Sequence, residues 1–340
     1  MSRARATTGT DAIVPGGTQR DRRAATQAVE QLDALRSSDA TGTHVVEVAG
    51  HPIKLTNVDK VLYPEVGFTK LDVASYYARI APVLLRHLRG RPLTLKRYPD
   101  GVDGEFFYQK RCPDHRPDFI RTTGATKHDV DYCLPDDVAT LVWMANLADL
   151  ELHVLLSTSR DLQRPTALAF DLDPGEGAGI TQCCEVALLL RALLAGLDLD
   201  CVPKASGSKG IQVYVPLNRP EVTYAHTKPF ARAVAQLLER REPELVVSNM
   251  RKELRRGKVL IDWSQNDDHK TTVAAYSLRA MARPTASTPL RWSEVEQALA
   301  DGGADDLRFE HDEVLARVHE HGDLFAPVLE LRQRLPESGR

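Results

Sequence analysis

No run in this sequence approaches the roughly 20 consecutive apolar residues that cross a bilayer. The opening stretch, MSRARATTGTDAIVPGGTQRDRRAA, lacks the continuous apolar core of a secretory signal. No membrane partner is expected, and the cytoplasm is the expected compartment. Cysteines are few and odd in number: Cys112, Cys133, Cys183, Cys184 and Cys201. That argues against a disulfide framework and for reduced thiols. RCPDH could offer Cys112 and His115 to zinc, but no second pair stands at finger-like spacing, so no structural zinc is expected. An excess of basic charge is missing too. With a net charge of −3 the chain as a whole is not a glove for a polyanion, and nucleic-acid binding would need local patches. Internal repeats and regular βαβ alternation are also absent, which favours α+β over a doubly wound sheet.

What is present is a chain of 340 residues with 42% hydrophobic content, enough for one large domain or two ordinary ones. Residues 1–43 mix Gly, Thr, Ser and Ala with alternating charges and read as a flexible arm around a short helix at ATQAVEQLDALRS. Residues 44–340 read as a single domain. FTKLDVASYYARIAPVLLRHLRG has helical spacing of apolar residues, with Thr69 as N-cap, Asp72 three residues on and Gly90 as a stop. RPLTLKRYP and GEFFYQK read as strands around the turn PDGVDG, and LELHV as a strand carrying His153. The segment STPLRWSEVEQALADGG reads as a helix capped by Ser293 and Glu296. The basic patches are Lys96-Arg97, Lys110-Arg111 and RKELRRGK at 251–258; the last, taken alone, reads as a solvated helix face.

The chemistry concentrates in LAFDLDPGEG. Side chains alternate along a strand, so Asp171 and Asp173 point one way while Phe170 and Leu172 face the core. Two ionised carboxylates this close raise each other's pKa unless a cation intervenes, and hard oxygen ligands suit Mg²⁺ or Mn²⁺. Asp262, ending the apolar strand of KVLIDWSQ, is the third carboxylate of such a site. Three strand-borne aspartates can hold two ions about 3.5–4 Å apart. The loop SGSKG adds glycines for close backbone approach, Ser206 and Ser208 hydroxyls and the charge of Lys209. It lacks the spacing of a P-loop. Acidic ligands with a lysine-bearing loop point to a metal-bound triphosphate.

These pieces, with LTNVDKVLYPEVGFTK, GRPLTLKRYPDGVDGEFFYQK, RRGKVLIDWSQN and KTTVAAYSLRA in the same order, resemble the polymerase domain of bacterial ATP-dependent DNA ligase D. That domain belongs to the archaeo-eukaryotic primase superfamily. The resemblance is greatest to stand-alone actinobacterial primase-polymerases, and no ligase or phosphoesterase module is expected. It implies an α+β fold in which mixed and antiparallel sheets, flanked by helices, form a catalytic cleft. It implies a nucleotidyltransferase that fills short gaps or ends in gapped or broken duplex DNA bearing a 5′-phosphate. NTPs or dNTPs would be the substrates, with ribonucleotides and manganese preferred and primer synthesis allowed. A separate DNA ligase or a Ku-type protein is the implied partner, and the bacterial nucleoid the setting.

Residue by residue, Asp171, Asp173 and Asp262 match the metal-binding aspartates, which would hold two Mn²⁺ or Mg²⁺ ions. His153, Ser206, Lys209, Gln212, Arg255 and Arg279 match the nucleotide pocket. Lys60 and Lys70 match lysines that grip the 5′-phosphate. Phe106 and Phe107 match aromatics at the template bend, with Lys96 on the same DNA path. Two departures stand out: Gln212 replaces the family's histidine, and FFYQK is one residue longer than the common FF-x-K. Two rival readings follow from the residues alone. A haloacid dehalogenase-type phosphatase also uses Asp-x-Asp, but wants Thr or Val where Gly175 stands. A non-catalytic DNA-end adaptor would have no need to bear the mutual repulsion of three aspartates.

Overall fold

The structure, a computed structural model, describes residues 12–124, 129–302 and 307–336. The chain runs α1 (Gln19–Ser37), β1 (Thr43–Val48), β2 (His51–Thr56), β3 (Val61–Tyr63), β4 (Phe68–Thr69), α2 (Lys70–Leu88), β5 (Leu93–Arg97) and β6 (Phe107–Gln109). Then come α3 (Val138–Asn146), β7 (Asp149–Leu155), β8 (Ser157–Thr158), β9 (Asp161–Pro165), β10 (Ala167–Pro174), α4 (Ile180–Ala195), β11 (Val202–Ala205) and β12 (Ile211–Pro216). It closes with α5 (Tyr224–Arg241), β13 (Val246–Val247), β14 (Val259–Asp262), β15 (Thr271–Val273), β16 (Thr288–Pro289), α6 (Trp292–Asp301), α7 (His311–His321) and α8 (Pro327–Glu330).

Two sheets position the site. One has six strands in the order β13-β14-β10-β12-β11-β16, antiparallel except where β13 joins β14; the other has four, β15-β7-β5-β6, all antiparallel. The α+β expectation holds. Each sheet has its own apolar interior. Phe170, Leu172, Val213 and Ile261 of the larger sheet pack with α4 and α5, while Leu93, Leu95 and Leu152 of the smaller pack with α2 and α3. No helix among the described residues is long and apolar enough to cross a membrane.

Helix α2 starts where its caps dictate: Thr69 Oγ1 accepts the Asp72 N–H, and the Asp72 carboxylate accepts the Thr69 N–H. Nearly every α2 side chain is buried, because the helix runs between other elements rather than over a surface.

Three expectations are corrected. The arm expected to be flexible is, over 19–37, a helix with its own capping box at Thr18 and Asp21. Ala25, Ala28 and Leu32 are buried, and Asp33 pairs with Arg79 of α2 at 2.7 Å. Its polar composition hid an apolar stripe of small residues. Residues 1–11 of that arm, and 303–306 and 337–340 of the expected domain, lie outside the described residues. Helix α6 starts earlier than Ser293 and Glu296 suggested: Arg291 is the N-cap, and its N–H is accepted by Glu294. Finally, Cys112 and Cys133 form a disulfide with Cα atoms 4.9 Å apart, so Cys112 is neither a free thiol nor a zinc ligand. The chain folds back so that the Cys112 N–H reaches Asp131 O and the Leu93 N–H reaches Cys133 O. Cys183, Cys184 and Cys201 are free.

Candidate active site

Strand order turns separate sequence motifs into one row. Across the larger sheet Asp262 (β14) is paired with Asp171 (β10), Asp171 with Gln212 (β12), and Gln212 with Lys204 (β11). Asp173, two residues beyond Asp171, shares its face. Lys204 is wholly buried and donates to Ser287 Oγ at 2.6 Å. Burial pushes the Asp171 carboxyl up to about 7, and Asp173 and Asp262 push the same way, against a Gln212 hydrogen bond and the Lys204 charge. Burial also pulls the Lys204 ammonium down to about 7, with Asp171 holding it up and Arg279 adding to the fall. Asp173 reaches solvent, yet its carboxyl is raised as well, by desolvation from the chain behind it and by Asp262, against Arg255 and Arg279.

The donor set fits divalent ions: three mutually repelling carboxylates on adjoining strands, with one buried cation at the end of the row beyond Gln212. The carboxylates have not closed on a single point. Among the described residues, the only acidic or histidine trio with ligand atoms all within 4.8 Å is Asp267, Asp268 and His269. There Asp267 is already paired with Lys228, and Asp268 accepts from Gln163. Asp262 accepts the Ser264 N–H at 2.8 Å, the Ser264 hydroxyl at 2.7 Å and the Gln265 amide at 3.1 Å.

Glycines bring two loops against β10. A Cβ on Gly210 would lie 2.1 Å from Leu172 O, between the two aspartates, and one on Gly175 would lie 1.8 Å from Arg255 O. Thus the SGSKG loop and the 251–258 segment both sit on the strand that carries Asp171 and Asp173. Ser206 Oγ closes its own loop by accepting the Ser208 and Gly210 N–H groups, while Lys209 is exposed. RKELRRGK is a short 3-10 turn, Lys252–Leu254, followed by a further turn that leads into β14. The helix expectation is therefore corrected, while the segment is largely exposed, as expected. Gln212 is buried behind Asp171, so it orients that carboxylate directly.

The smaller sheet supplies the opposite wall. His153 Nε2 bonds Glu151 at 2.9 Å, and Lys96 Nζ lies 3.2 Å and Arg279 Nε 3.4 Å from the same carboxylate. Arg279 also donates through Nη1 to Ser206 O at 2.6 Å, tying the two sheets together. Strand alternation sorts the aromatics. Phe106 and Tyr108 lie on the face of Lys96, whose Nζ is 4.6 and 5.7 Å from their ring centroids, and Tyr108 stands edge-on to His153. Phe107 points to the other face, over Arg97 at 5.2 Å. Lys96 Nζ thus sits among the rings of Tyr98, Phe106 and Tyr108.

That other face borders a cavity of about 620 Å³ lined by Lys54, Lys60, Lys70, Arg97 and His115. Lys70 opens α2, and its Nζ donates to Thr56 O at 2.8 Å; Lys60 reaches Asp100 at 2.8 Å. Burial lowers the Lys70 pKa, and the Lys60 and Arg97 charges lower it further. Four cationic side chains and a helix N-terminus at one cavity favour an anion there.

The family described as "LigD, primase-polymerase domain" matches residues 69–325. The chain belongs to this family. It is a nucleotidyltransferase of the primase-polymerase kind. It is 45% identical over 280 residues to the multifunctional non-homologous end joining protein LigD of Mycolicibacterium smegmatis, covering 81% of this chain and 36% of that protein. To the bifunctional LigD of Bacillus subtilis it is 33% identical, over 80% of this chain and 43% of that protein. The chain therefore spans little more than a third of the length of its mycobacterial relative. The polymerase domain from Mycobacterium tuberculosis ligase D, solved in complex with DNA, superposes with a TM-score of 0.73 at 40% identity, over 82% of this chain and 98% of that one.

Sequence reasoning missed three participants: Lys204, Glu151 and Tyr108. The signal for the first two was present. Lys204 interrupts VPKAS and Glu151 interrupts LELHV, each a charge in an apolar strand, which is the same anomaly that singled out Asp171.

Proposed function

We propose that this LigD-type primase-polymerase extends a primer across short gaps or breaks whose downstream end carries a 5′-phosphate, with ribonucleotides preferred. The observation that carries the reading is the Asp262–Asp171–Gln212–Lys204 row with the SGSKG loop pressed on β10. Asp171 and Asp173 would hold two divalent ions and Asp262 would complete the site nearer the attacking hydroxyl. Bound there, Mn²⁺ or Mg²⁺ would lower the pKa of the primer 3′-hydroxyl and neutralise the departing pyrophosphate. Lys204 limits the repulsion of the aspartates before ions arrive, and Gln212 orients Asp171. Lys209, Arg255 and Arg279 anchor the triphosphate electrostatically, in positions fixed before substrate enters. Ser206 lies at the sugar and His153 on the opposite wall. Phe106 and Phe107, at the start of β6 and pointing to opposite faces, would stack on template bases, which needs no base-specific hydrogen bonds. Lys60 and Lys70 would hold the 5′-phosphate in the cavity behind Arg97. The setting is cytoplasmic DNA repair beside a separate ligase or a Ku-type end-binding protein.

The decisive experiment is incorporation on a one-nucleotide gap, comparing ribo- with deoxynucleoside triphosphates and Mn²⁺ with Mg²⁺. Faster ribonucleotide incorporation with Mn²⁺, abolished by Asp171→Ala, is the expected result. Extension that survives Asp171→Ala would overturn the mechanism. DNA binding without any extension in the unaltered chain would leave the adaptor reading.

A further inference from the structure

One buried carboxylate has no part in the chemistry above. Glu151, in β7 at the centre of the smaller sheet, is 2% exposed. Its Oε2 accepts from His153 Nε2 at 2.9 Å and faces Arg279 Nε at 3.4 Å. Its Oε1 accepts the Ala280 N–H at 3.1 Å and the Tyr98 hydroxyl at 3.5 Å, with Lys96 Nζ 3.2 Å away. Burial alone would push this carboxyl up. The His153 hydrogen bond and the charges of Arg279 and Lys96 outweigh it and hold the group well below the usual carboxylate range.

An ionised carboxylate can only accept hydrogen bonds. His153 must therefore carry its proton on Nε2, which leaves the Nδ1 lone pair for something else. Burial lowers the His153 pKa despite the pull of Glu151, and Arg279 and Lys96 lower it further, which favours the neutral ring. Tyr108, edge-on to the ring at 5.8 Å, helps to set its plane. The same anion fixes the spacing of Arg279, whose far end grips the SGSKG loop.

We propose that Glu151 is a positioning residue of the nucleotide pocket: it holds His153 in the Nε2–H form, presenting Nδ1 as an acceptor to a hydroxyl-bearing ligand. The inference rests on reading this pocket as the nucleotide site. A merely structural Glu151 would hold the sheet together without setting the histidine's proton.

Glu151→Gln separates the two. It keeps the size, removes the charge and offers an amide N–H that Nε2 can accept, which moves the ring proton to Nδ1. Nitrogen-15 NMR of the imidazole in the full chain at pH 7.5 should show the Nε2–H form in the unaltered protein and the Nδ1–H form in the variant. The same form in both overturns the proposal. In the one-nucleotide gap assay, KM for the ribonucleoside triphosphate should rise about tenfold with kcat held within about threefold. In a His153→Ala background the same substitution should cost less than about twofold, because its effect runs through the ring. Full additivity, or a fall in kcat at constant KM, counts against it. If Glu151→Gln does not fold, Glu151→Asp keeps the charge one methylene short and should retain the Nε2–H form while KM still rises; a switch of form there overturns the idea equally. If the unaltered chain incorporates no nucleotide, the pocket reading fails, yet the NMR comparison still decides what Glu151 does.

Discussion

The two sheets that face each other across the site bury charge in opposite proportions. On the six-stranded sheet three carboxylates, Asp171, Asp173 and Asp262, share one buried cation, Lys204, and the Asp171 carboxyl is pushed up to about 7 by burial and by its acidic neighbours. On the four-stranded sheet one carboxylate, Glu151, is surrounded by His153, Lys96 and Arg279, and is held far down. One wall is short of positive charge and the other has it in excess. On the proposed function, a triphosphate carrying divalent ions would supply both, cations to the first wall and anionic oxygens to the second. Its binding would then relieve two opposite electrostatic imbalances left by folding.

The largest expected effect breaks the acidic wall. Asp171→Ala or Asp173→Ala should reduce primer extension at least about a thousandfold, as loss of metal-assisted chemistry does, while affinity for gapped DNA, read by fluorescence anisotropy, stays within about threefold. Chelating divalent ions should abolish extension to the same extent and reversibly. Next comes Lys204, the wholly buried cation of that wall. Lys204→Met leaves the carboxylates without their buried partner and should cost about 3 kcal/mol of folding stability. Added Mn²⁺ should recover more thermal stability in the variant than in the unaltered chain; equal recovery would mean that Lys204 does not offset the aspartates.

A smaller effect is expected behind the basic wall. Lys60→Ala and Lys70→Ala should each reduce the preference for a 5′-phosphorylated gap over a hydroxyl-ended one by about tenfold, with extension on unphosphorylated gaps unchanged. The smallest concerns a buried carboxylate remote from both walls. Asp323 is buried, but hydrogen bonds from His87 and Tyr276, with the charges of His87 and Arg86, hold it below its usual range. A depressed pKa contributes stability that is complete above the unfolded value of about 4 and disappears as pH falls through the folded one. Asp323→Asn should therefore lower the melting temperature at pH 7 and flatten its decline below pH 4, without altering extension.

Legibility of the site followed one rule applied unevenly. A charge inside an apolar strand is anomalous, and that anomaly exposed Asp171 and Asp262. Lys204 and Glu151 carried the same mark and were passed over because lysine and glutamate are usually read as solvent-facing. The Cys112–Cys133 bond left no such mark: two cysteines far apart in the chain meet only once the loop between β6 and α3 folds back. At FFYQK, strand alternation puts Phe106 and Tyr108 on the face of Lys96 and Phe107 on the other face, over Arg97.

Sequence alone determined the α+β class, the capping of α2, the strands that carry aspartate and the face each aspartate takes, because periodicity and capping are local physics. Only the tertiary structure decided which strands are neighbours. Register between β14, β10, β12 and β11 put Asp262, Asp171, Gln212 and Lys204 in one row, and Arg279 reached from Glu151 on one sheet to Ser206 on the other. Alternation tells a side chain which way to point; it carries no information about what stands opposite, and a buried charge is stabilised or destabilised by what stands opposite.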